Sequence, residues 1–208
     1  MVEAGQVCAI ILAAGLSSRM GSFKPLCHLG GKTLLEHTVQ LYKQNGVAEI
    51  LVVVGHRAEE IKTEAIDYPC RFVDNGSYQD GMFSSIQVGV SSLPQDCQAF
   101  FLHPVDIPLV QRKTVGLLLK ALKEDDTTLI HYPQYHSKKG HPPLISISLR
   151  DQILEYDGTG GLRSLLAKHK KAARLHSVQD PYILIDADAP DDLSFLNSNF
   201  CKNQPKST

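Results

Sequence analysis

Two basic residues follow a turn of small residues near the start of the chain. The segment CAIILAAGLSSRMGSFK, residues 8–24, places an apolar run before Ala14-Gly15, and Arg19 and Lys24 come after that turn. Because Gly and Ala have little or no side chain, a ligand can lie against backbone N–H groups there. Two positive charges at the same place suit a polyphosphate. The pattern predicts an anion site where a buried strand ends in a loop.

A carboxylate follows another apolar run much later in the chain. Asp106 stands in the sequence H-P-V-D-I-P, between Pro104 and Pro108 and after the apolar residues 100–102. A carboxylate at the carboxyl end of a parallel strand lies where ligands bind in open α/β sheets. Its oxygens suit Mg²⁺, a hard ion that also takes phosphate oxygens. The alternative is that Asp106 only forms a turn before a proline.

Apolar runs that alternate with helix-like segments must position these groups. The patterns predict strands at residues 7–13, 50–54, 71–73, 99–103, 128–132, 143–147 and 183–185, and helices at 33–44, 57–66, 82–92, 111–123 and 190–196. Continuous apolar strands separated by helices indicate β-α-β units around a mostly parallel sheet. We interpret residues 132–171 as an inserted substrate-side region and residues 198–208 as a polar tail. The expectation is a single domain, residues 1–197.

Composition excludes several classes of protein. The formal net charge of −1 gives no global basic field that would attract nucleic acid or an anionic membrane. No apolar run approaches the roughly 20 residues that span a bilayer, and the first residues lack a signal-peptide pattern. The cysteines include no C-x-x-C pair, so a disulfide framework or structural zinc site is not expected. We expect a cytoplasmic protein with no nucleic-acid or membrane partner.

Two common nucleotide-binding motifs are absent. A P-loop needs G-x-x-x-x-G-K-[ST]; Gly31-Lys32-Thr33 supplies its end, but Leu26 stands where the first glycine is required. No G-x-G-x-x-G follows the first strand either. These absences count against kinase, ATPase and dehydrogenase functions.

Longer patterns resemble one enzyme family. Residues 12–24 resemble the L-A-A-G-x-S-x-R-M-G-x-x-K signature of the nucleotidyltransferase superfamily. The segments 75–89 (NGSYQDGMFSSIQVG), 140–144 (GHPPL) and 157–166 (DGTGGLRSLL) are similar to elements of the molybdenum cofactor cytidylyltransferases, a branch of the MobA-like NTP transferases. Residues 184–193 resemble the D-x-D-T-P-E-D-L ending of relatives, with Ala189 in place of Thr.

The resemblance implies a fold and an activity. The fold would be a three-layer, Rossmann-like nucleotidyltransferase α/β fold with a mostly parallel central sheet. The activity would be transfer of CMP from CTP to the phosphate of molybdopterin, with release of pyrophosphate and with Mg²⁺ or Mn²⁺ as cofactor. A transient contact with a molybdoenzyme or its accessory chaperone is also implied.

The resemblance also implies roles for individual residues. The catalytic residues would be Arg19, Lys24 and Asp106, and the metal ligands would be Asp106 and Asp188. The acceptor would be bound by His141 and Arg163. The nucleotide would be bound by Leu12, Ala13, Ala14, Gly15, Ser17, Asn75, Gly81 and Ser85. The alternatives are that Asp188 belongs to a helix cap and that His141 is a surface loop residue.

Alternative functions remain at this stage. Relatives that transfer guanylyl groups usually read L-A-G-G, so the Cβ of Ala14 favours CTP over GTP. The L-A-A-G pattern also occurs in transferases acting on sugar phosphates and on methylerythritol phosphate. Besides these acceptors, GTP-dependent guanylyl transfer to molybdopterin and a non-catalytic, cofactor-handling accessory protein are the other hypotheses.

Overall fold

The computed structural model describes residues 6–17 and 20–203. At residue 199 and residues 201–203 the description covers the backbone alone. Arg19, which the sequence predicts to be catalytic, lies outside the described residues.

The helices and strands alternate along the described chain. In order they are β1 (Val7–Leu12), β2 (His28–Leu29), β3 (Lys32–Thr33), α1 (Leu34–Gln44), β4 (Glu49–Val54), α2 (Ala58–Glu64), β5 (Arg71–Asp74), α3 (Met82–Ser91), β6 (Ala99–Pro104), α4 (Arg112–Glu124), β7 (Ile130–Tyr135), β8 (Lys138–Lys139), β9 (Leu144–Ser146), α5 (Arg150–Glu155), α6 (Gly161–Ala167), β10 (Ala173–Ser177) and α7 (Pro190–Asn203).

The main sheet has the order β10-β7-β9-β6-β1-β4-β5, with β8 added to β7. β1 pairs in parallel with β4 on one side and β6 on the other, so that Cys8 lies opposite both Glu49 and Phe100. β9 is antiparallel to both β6 and β7. The expected Rossmann-like α/β fold with a mostly parallel central sheet is confirmed.

Burial of both faces of β1 explains its central place. Successive side chains point to opposite faces of a sheet, and all six residues of β1 are buried. Ile11 packs in the core that α1 and α4 cover, whereas Ile10 packs in the core that α3, α5 and α6 cover. On the second face α3 lies very close, since a Cβ at Gly89 would be 2.5 Å from Cγ2 of Ile10. The result is a three-layer arrangement.

The last part of the chain differs from the prediction. Residues 183–185 do not form a strand: Pro181–Leu184 is a 3₁₀ turn, begun by Asp180, whose side chain accepts from the N–H of Tyr182. The last strand of the chain is instead β10, residues Ala173–Ser177, which pairs in parallel with β7. Its residues lie at the sheet edge, all of them partly or largely exposed, and they include no continuous apolar run. Helix α7 continues past the expected end at residue 196.

The region interpreted as a substrate-side insertion contributes strands to the main sheet, and its place on the substrate side stays a prediction. Residues 132–171 include β8, β9, α5 and α6, and β9 lies between β6 and β7. The domain bounds at residues 197 and 198 stay a prediction, and α7 runs across them. No helix in the described part of the chain is long and apolar enough to cross a membrane.

Candidate active site

The loop after β1 turns back on itself and presents Lys24. Ser17 has a φ of 55°, a left-handed conformation that is uncommon for residues other than glycine. Its hydroxyl oxygen accepts a hydrogen bond from the backbone N–H of Lys24 at 3.0 Å. Lys24 opens a 3₁₀ turn with the buried Pro25. The loop is therefore anchored at the residue whose side chain enters the site.

The turn after β6 carries Asp106 and is held by backbone hydrogen bonds. The N–H of Val105 donates to the carbonyl of Leu12 at 3.1 Å, and the N–H of Ile107 donates to the carbonyl of Pro104 at 3.2 Å. The carbonyl of Asp106 accepts from the N–H of Ala187 at 2.7 Å. This last bond ties the segment that carries Asp188 to the turn that carries Asp106.

Lys24, Asp106 and Asp188 meet in one cluster. The Nζ of Lys24 donates to Oδ2 of Asp106 at 3.0 Å and to Oδ1 of Asp188 at 2.5 Å. The Lys24 side chain is 13% exposed, and the carboxylate side chains are 23% and 31% exposed. Burial lowers the pKa of Lys24, but hydrogen bonds to Asp188 and Asp106 outweigh burial, so its pKa is raised. Lys24 therefore stays charged at neutral pH.

The carboxylate pair fits a hard divalent cation. Both oxygens converge on a single point, the nitrogen of Lys24. No group of three or more His, Cys, Asp or Glu residues that could hold a metal ion occurs within residues 6–17 and 20–203. Mg²⁺ is commonly bound by one or two carboxylates together with substrate phosphates and water. The donor set therefore suits a cation that arrives with a polyphosphate.

His141 lies beside this cluster. Its backbone N–H donates to the carbonyl of Ile183 at 2.9 Å. Its Nδ1 is buried and has no hydrogen-bond partner among the described residues. Burial lowers the pKa of His141, although Asp106 and Asp186 oppose that effect. The imidazole is consequently neutral at pH 7 and retains an unpaired polar atom.

Asn75 and Ser85 organise the loop between β5 and α3. Asn75 is 2% exposed. Its Nδ2 donates to the hydroxyl oxygens of Ser84 and Ser85 at 2.9 Å each, while its Oδ1 accepts from the N–H of Ser77 at 2.9 Å. Gly81, with a φ of 97°, precedes α3. These polar groups stabilise the loop, and their contact with a nucleotide stays a prediction.

An aromatic row that the sequence reasoning missed lies next to Ala14. The N–H of His56 donates to the carbonyl of Ala14 at 3.2 Å. The ring of His56 lies 5.8 Å from that of Phe23 and 6.1 Å from that of Tyr78, centroid to centroid. A Cβ at Gly55 would be 2.6 Å from Cβ of Tyr78 and 3.0 Å from Cβ of Ala14. The glycine directly after the apolar run of β4 was the available signal.

The other predicted acceptor residue is not part of the lysine cluster. Arg163 is exposed on the short helix α6. No hydrogen bond or ion pair joins it to Lys24, Asp106 or Asp188 among the described residues. Its role stays a prediction.

Comparison with known proteins identifies the family. The family described as "MobA-like NTP transferase domain" matches residues 9–173. The molybdenum cofactor cytidylyltransferase of Escherichia coli K12 is 27% identical over 188 residues, which are 88% of this chain and 91% of that protein. The nicotine blue oxidoreductase of Paenarthrobacter nicotinovorans is 29% identical over 77% of this chain and 81% of its own.

Other relatives match over a shorter stretch. The bifunctional IPC transferase and DIPP synthase of Rubrobacter xylanophilus is 41% identical over 95 residues, which are 43% of this chain and 22% of that protein. The GlmU protein of Marinobacter nauticus is 32% identical over 58% of this chain, and 27% of its length is covered. The chain thus spans only about a quarter of the length of these curated relatives.

Solved structures show the same fold. Rv0371c from Mycobacterium tuberculosis superposes with a TM-score of 0.81 at 22% identity, covering 94% of this chain and 100% of that one. A manganese complex of Rv0371C superposes with a TM-score of 0.77 at 22% identity, covering 93% of this chain and 98% of that one.

Proposed function

This chain belongs to the MobA-like NTP transferase domain family and is a nucleotidyltransferase, and on that premise we propose that it transfers CMP from CTP to the phosphate of molybdopterin, releasing pyrophosphate. The observation that carries the proposal is the cluster of Lys24, Asp106 and Asp188 at the carboxyl ends of β1 and β6. The similarity to the Escherichia coli cytidylyltransferase over most of both chains supports the choice of substrates.

Small residues and two cations would hold the triphosphate. The N–H of Ala13 is already bonded to the carbonyl of Val53 at 2.9 Å, so the backbone N–H groups that would meet phosphate oxygens are those around Ala14, Gly15 and Ser17. The ammonium of Lys24 would move from the carboxylates to the phosphates and neutralise charge on the leaving pyrophosphate. Arg19 follows Ser17 by two positions in the sequence and would add a second positive charge.

Asp106 and Asp188 would hold Mg²⁺ or Mn²⁺. When bound, such an ion supplies positive charge that polarises phosphoryl oxygens. The backbone bond between Ala187 and Asp106 would keep the two carboxylates at a constant separation. Preorganised charge of this kind is worth more than flexible charge, because no reorganisation is needed during the reaction.

The acceptor would enter beside His141. A phosphate monoester is already anionic near neutral pH, so its oxygen attacks the α-phosphate of CTP without a strong general base. The new P–O bond forms as the bond to pyrophosphate breaks. The neutral ring of His141, a partly exposed residue, would orient the acceptor phosphate, with Arg163 as a second contact. Catalysis would then consist of positioning and charge stabilisation.

Other acceptors are the main alternative within the family. The similarity to the Rubrobacter IPC transferase and to GlmU covers 43% and 58% of this chain, and it favours a transferase acting on a different phosphate, such as a sugar phosphate or methylerythritol phosphate. Guanylyl transfer and a non-catalytic accessory role are further alternatives. We propose that the reaction takes place in the cytoplasm. We also propose a transient contact with the molybdoenzyme or accessory chaperone that receives the product.

The test measures pyrophosphate release from the purified protein with Mg²⁺. We would compare CTP, GTP, ATP and UTP, each with and without molybdopterin. Pyrophosphate that forms only with CTP and molybdopterin supports the proposal, and release only with another acceptor overturns the choice of acceptor. Asp106→Asn should abolish release, while the matched variant Asp191→Asn, at an exposed position in α7, should keep it. CTP binding without turnover for any acceptor would favour the accessory role.

A further inference from the structure

A fully buried histidine lies at the end of β6, just before the turn that carries Asp106. His103 is 0% exposed, and both its ring nitrogens have partners. Its Nε2 lies 2.8 Å from the carbonyl oxygen of Ile107, and its Nδ1 lies 2.7 Å from the hydroxyl of Tyr42 on α1. Tyr42 is also fully buried, and its ring contacts that of His103 edge to face. The pair therefore links α1 to the residue that follows Asp106.

The chemistry of the partners determines where the protons lie. A carbonyl oxygen only accepts hydrogen bonds, so Nε2 of His103 must carry the hydrogen and donate to Ile107. In the neutral ring Nδ1 is then an acceptor, and it accepts from the hydroxyl of Tyr42. Burial lowers the pKa of His103 to about 3, which keeps the ring neutral. One tautomer is thus imposed at neutral pH.

The bond to Ile107 adds a constraint that the backbone alone lacks. Residues 104–107 form a turn whose N–H groups at Val105 and Ile107 are already paired. Val105 and Ile107 point into the core while Asp106 remains partly exposed. The carbonyl of Ile107 would lose this donor, and could rotate, if the Nε2–H of His103 were removed. That carbonyl belongs to the Ile107–Pro108 peptide, and its rotation would loosen the end of the turn that positions Asp106.

We propose that His103, held by Tyr42, is a positioning residue that orients the Asp106 turn and thereby sets the affinity of the Asp106–Asp188 pair for a divalent cation. The inference rests on the proposed function to the extent that those carboxylates bind the metal. His103 does not touch the substrate in this account. It acts through the carbonyl of Ile107.

Two isosteric variants separate the two hydrogen bonds. The amide nitrogen of Gln reaches the position of Nε2, so His103→Gln keeps a donor for Ile107. Asn reaches only the position of Nδ1, so His103→Asn keeps a partner for Tyr42 and loses the bond to Ile107. Tyr42→Phe removes the anchor of the ring and leaves the bond to Ile107, which gives a third variant if a substitution at residue 103 fails to fold.

The measurement is Mn²⁺ affinity of the full chain, from the electron paramagnetic resonance signal of free Mn²⁺, with and without CTP. Loss of an outer-sphere partner that orients a metal ligand typically costs about 10–100-fold in metal affinity, so we expect His103→Asn to weaken Mn²⁺ binding at least tenfold. His103→Gln should stay within about threefold of wild type, and Tyr42→Phe should fall between them. Pyrophosphate release at a fixed, subsaturating Mn²⁺ concentration should follow the same order.

A purely structural role makes a different prediction. In that case the three variants would melt at lower temperatures but bind Mn²⁺ with wild-type affinity while folded, and this result would overturn the inference. Equal losses of affinity in His103→Gln and His103→Asn would also overturn it. If wild type binds Mn²⁺ but transfers CMP to no acceptor, the proposed function fails while the affinities still decide the role of His103. If wild type binds no Mn²⁺ even with CTP, both fail.

Discussion

Lys24 and a divalent cation would compete for the same two carboxylates. The ammonium nitrogen lies 3.0 Å from Asp106 and 2.5 Å from Asp188, so an ion cannot enter between the carboxylates while Lys24 remains there. We therefore expect Lys24→Met to bind Mn²⁺ more tightly than wild type in the absence of nucleotide. The direction is informative because removing a charged residue that is proposed to be catalytic is usually expected to weaken binding.

The geometry gives the size of the effect. Because both oxygens lie within 3.0 Å of one nitrogen, they are at most about 6 Å apart. Two negative charges at that distance repel each other by about 3 kcal/mol at an effective dielectric constant of about 20, and by about 0.7 kcal/mol in water. Removing the ammonium restores this repulsion, which a bound cation then relieves. An affinity gain of about tenfold, or about 1.4 kcal/mol, lies within that range.

Turnover should change in the opposite direction. Lys24→Met also removes the cation that would bind the triphosphate, and loss of one such electrostatic contact typically costs about 10²–10³ in kcat. In wild type, CTP should strengthen Mn²⁺ binding, because the phosphates draw Lys24 away from the carboxylates. Binding free energies are reciprocal, so Mn²⁺ should strengthen CTP binding equally. In Lys24→Met this coupling should be smaller.

Titration calorimetry with Mn²⁺, with and without CTP, measures the Mn²⁺ affinity and its coupling to CTP binding. Lys32→Met is the matched control, because Lys32 pairs with Glu36 on α1 and touches neither Asp106 nor Asp188; its Mn²⁺ affinity should equal that of wild type. Equal or weaker Mn²⁺ binding by nucleotide-free Lys24→Met would refute the competition. Unchanged coupling between Mn²⁺ and CTP would refute it as well.

Three further predictions concern base choice, acid stability and packing. Ala14→Gly should reduce the preference of pyrophosphate release for CTP over GTP, by up to about 3 kcal/mol in the ratio of kcat/KM values; an unchanged ratio would show that Ala14 does not select the base. His103 and His131 have pKa values lowered by burial to about 3 and about 4, so the unfolded chain takes up protons first as the pH falls below 6.5. Stability should therefore be full above pH 6.5 and decline towards pH 4, by up to about 1.4 kcal/mol per pH unit for each group; a melting temperature that stays constant from pH 7.5 to 5 would contradict this, and His103→Gln should decline less steeply. Gly89→Ala should destabilise the protein by about 1–3 kcal/mol in urea unfolding, because its methyl group would overlap Ile10; Gly116→Ala in α4, where the nearest atom is 3.5 Å away, is the control and should be neutral or stabilising.

Local pattern was sufficient to predict much of the fold. The apolar run of β1 is buried on both faces, and such a run can only be a central strand or a buried helix segment. The small residues Ala14-Gly15 that follow it mark the end of the strand in the local sequence. The position of Asp106, shortly after β6, was also predictable from local pattern, because the carboxyl ends of parallel strands lie at one edge of the sheet.

The elements near the end of the chain were less predictable from the sequence, because their residues face both solvent and the rest of the protein. β10 has no continuous apolar face, and its pairing with β7 supplies the stabilisation that its composition does not reveal. Residues 183–185 do have the apolar composition of a strand. Pro181 and the capping side chain of Asp180 favour a turn there instead.

The sequence by itself predicted the small-residue turn, Lys24 and Asp106 from their immediate neighbours, and it predicted Asp188 from the resemblance of residues 184–193 to relatives. Only the tertiary structure decided their partners. Lys24 meets Asp106 across 82 positions and Asp188 across 164, and His103 meets Tyr42 across 61. Contacts at such separations depend on the order of the strands in the sheet, which no local pattern encodes. The physical reason is that each contact forms only after the sheet has brought distant strand ends to one edge.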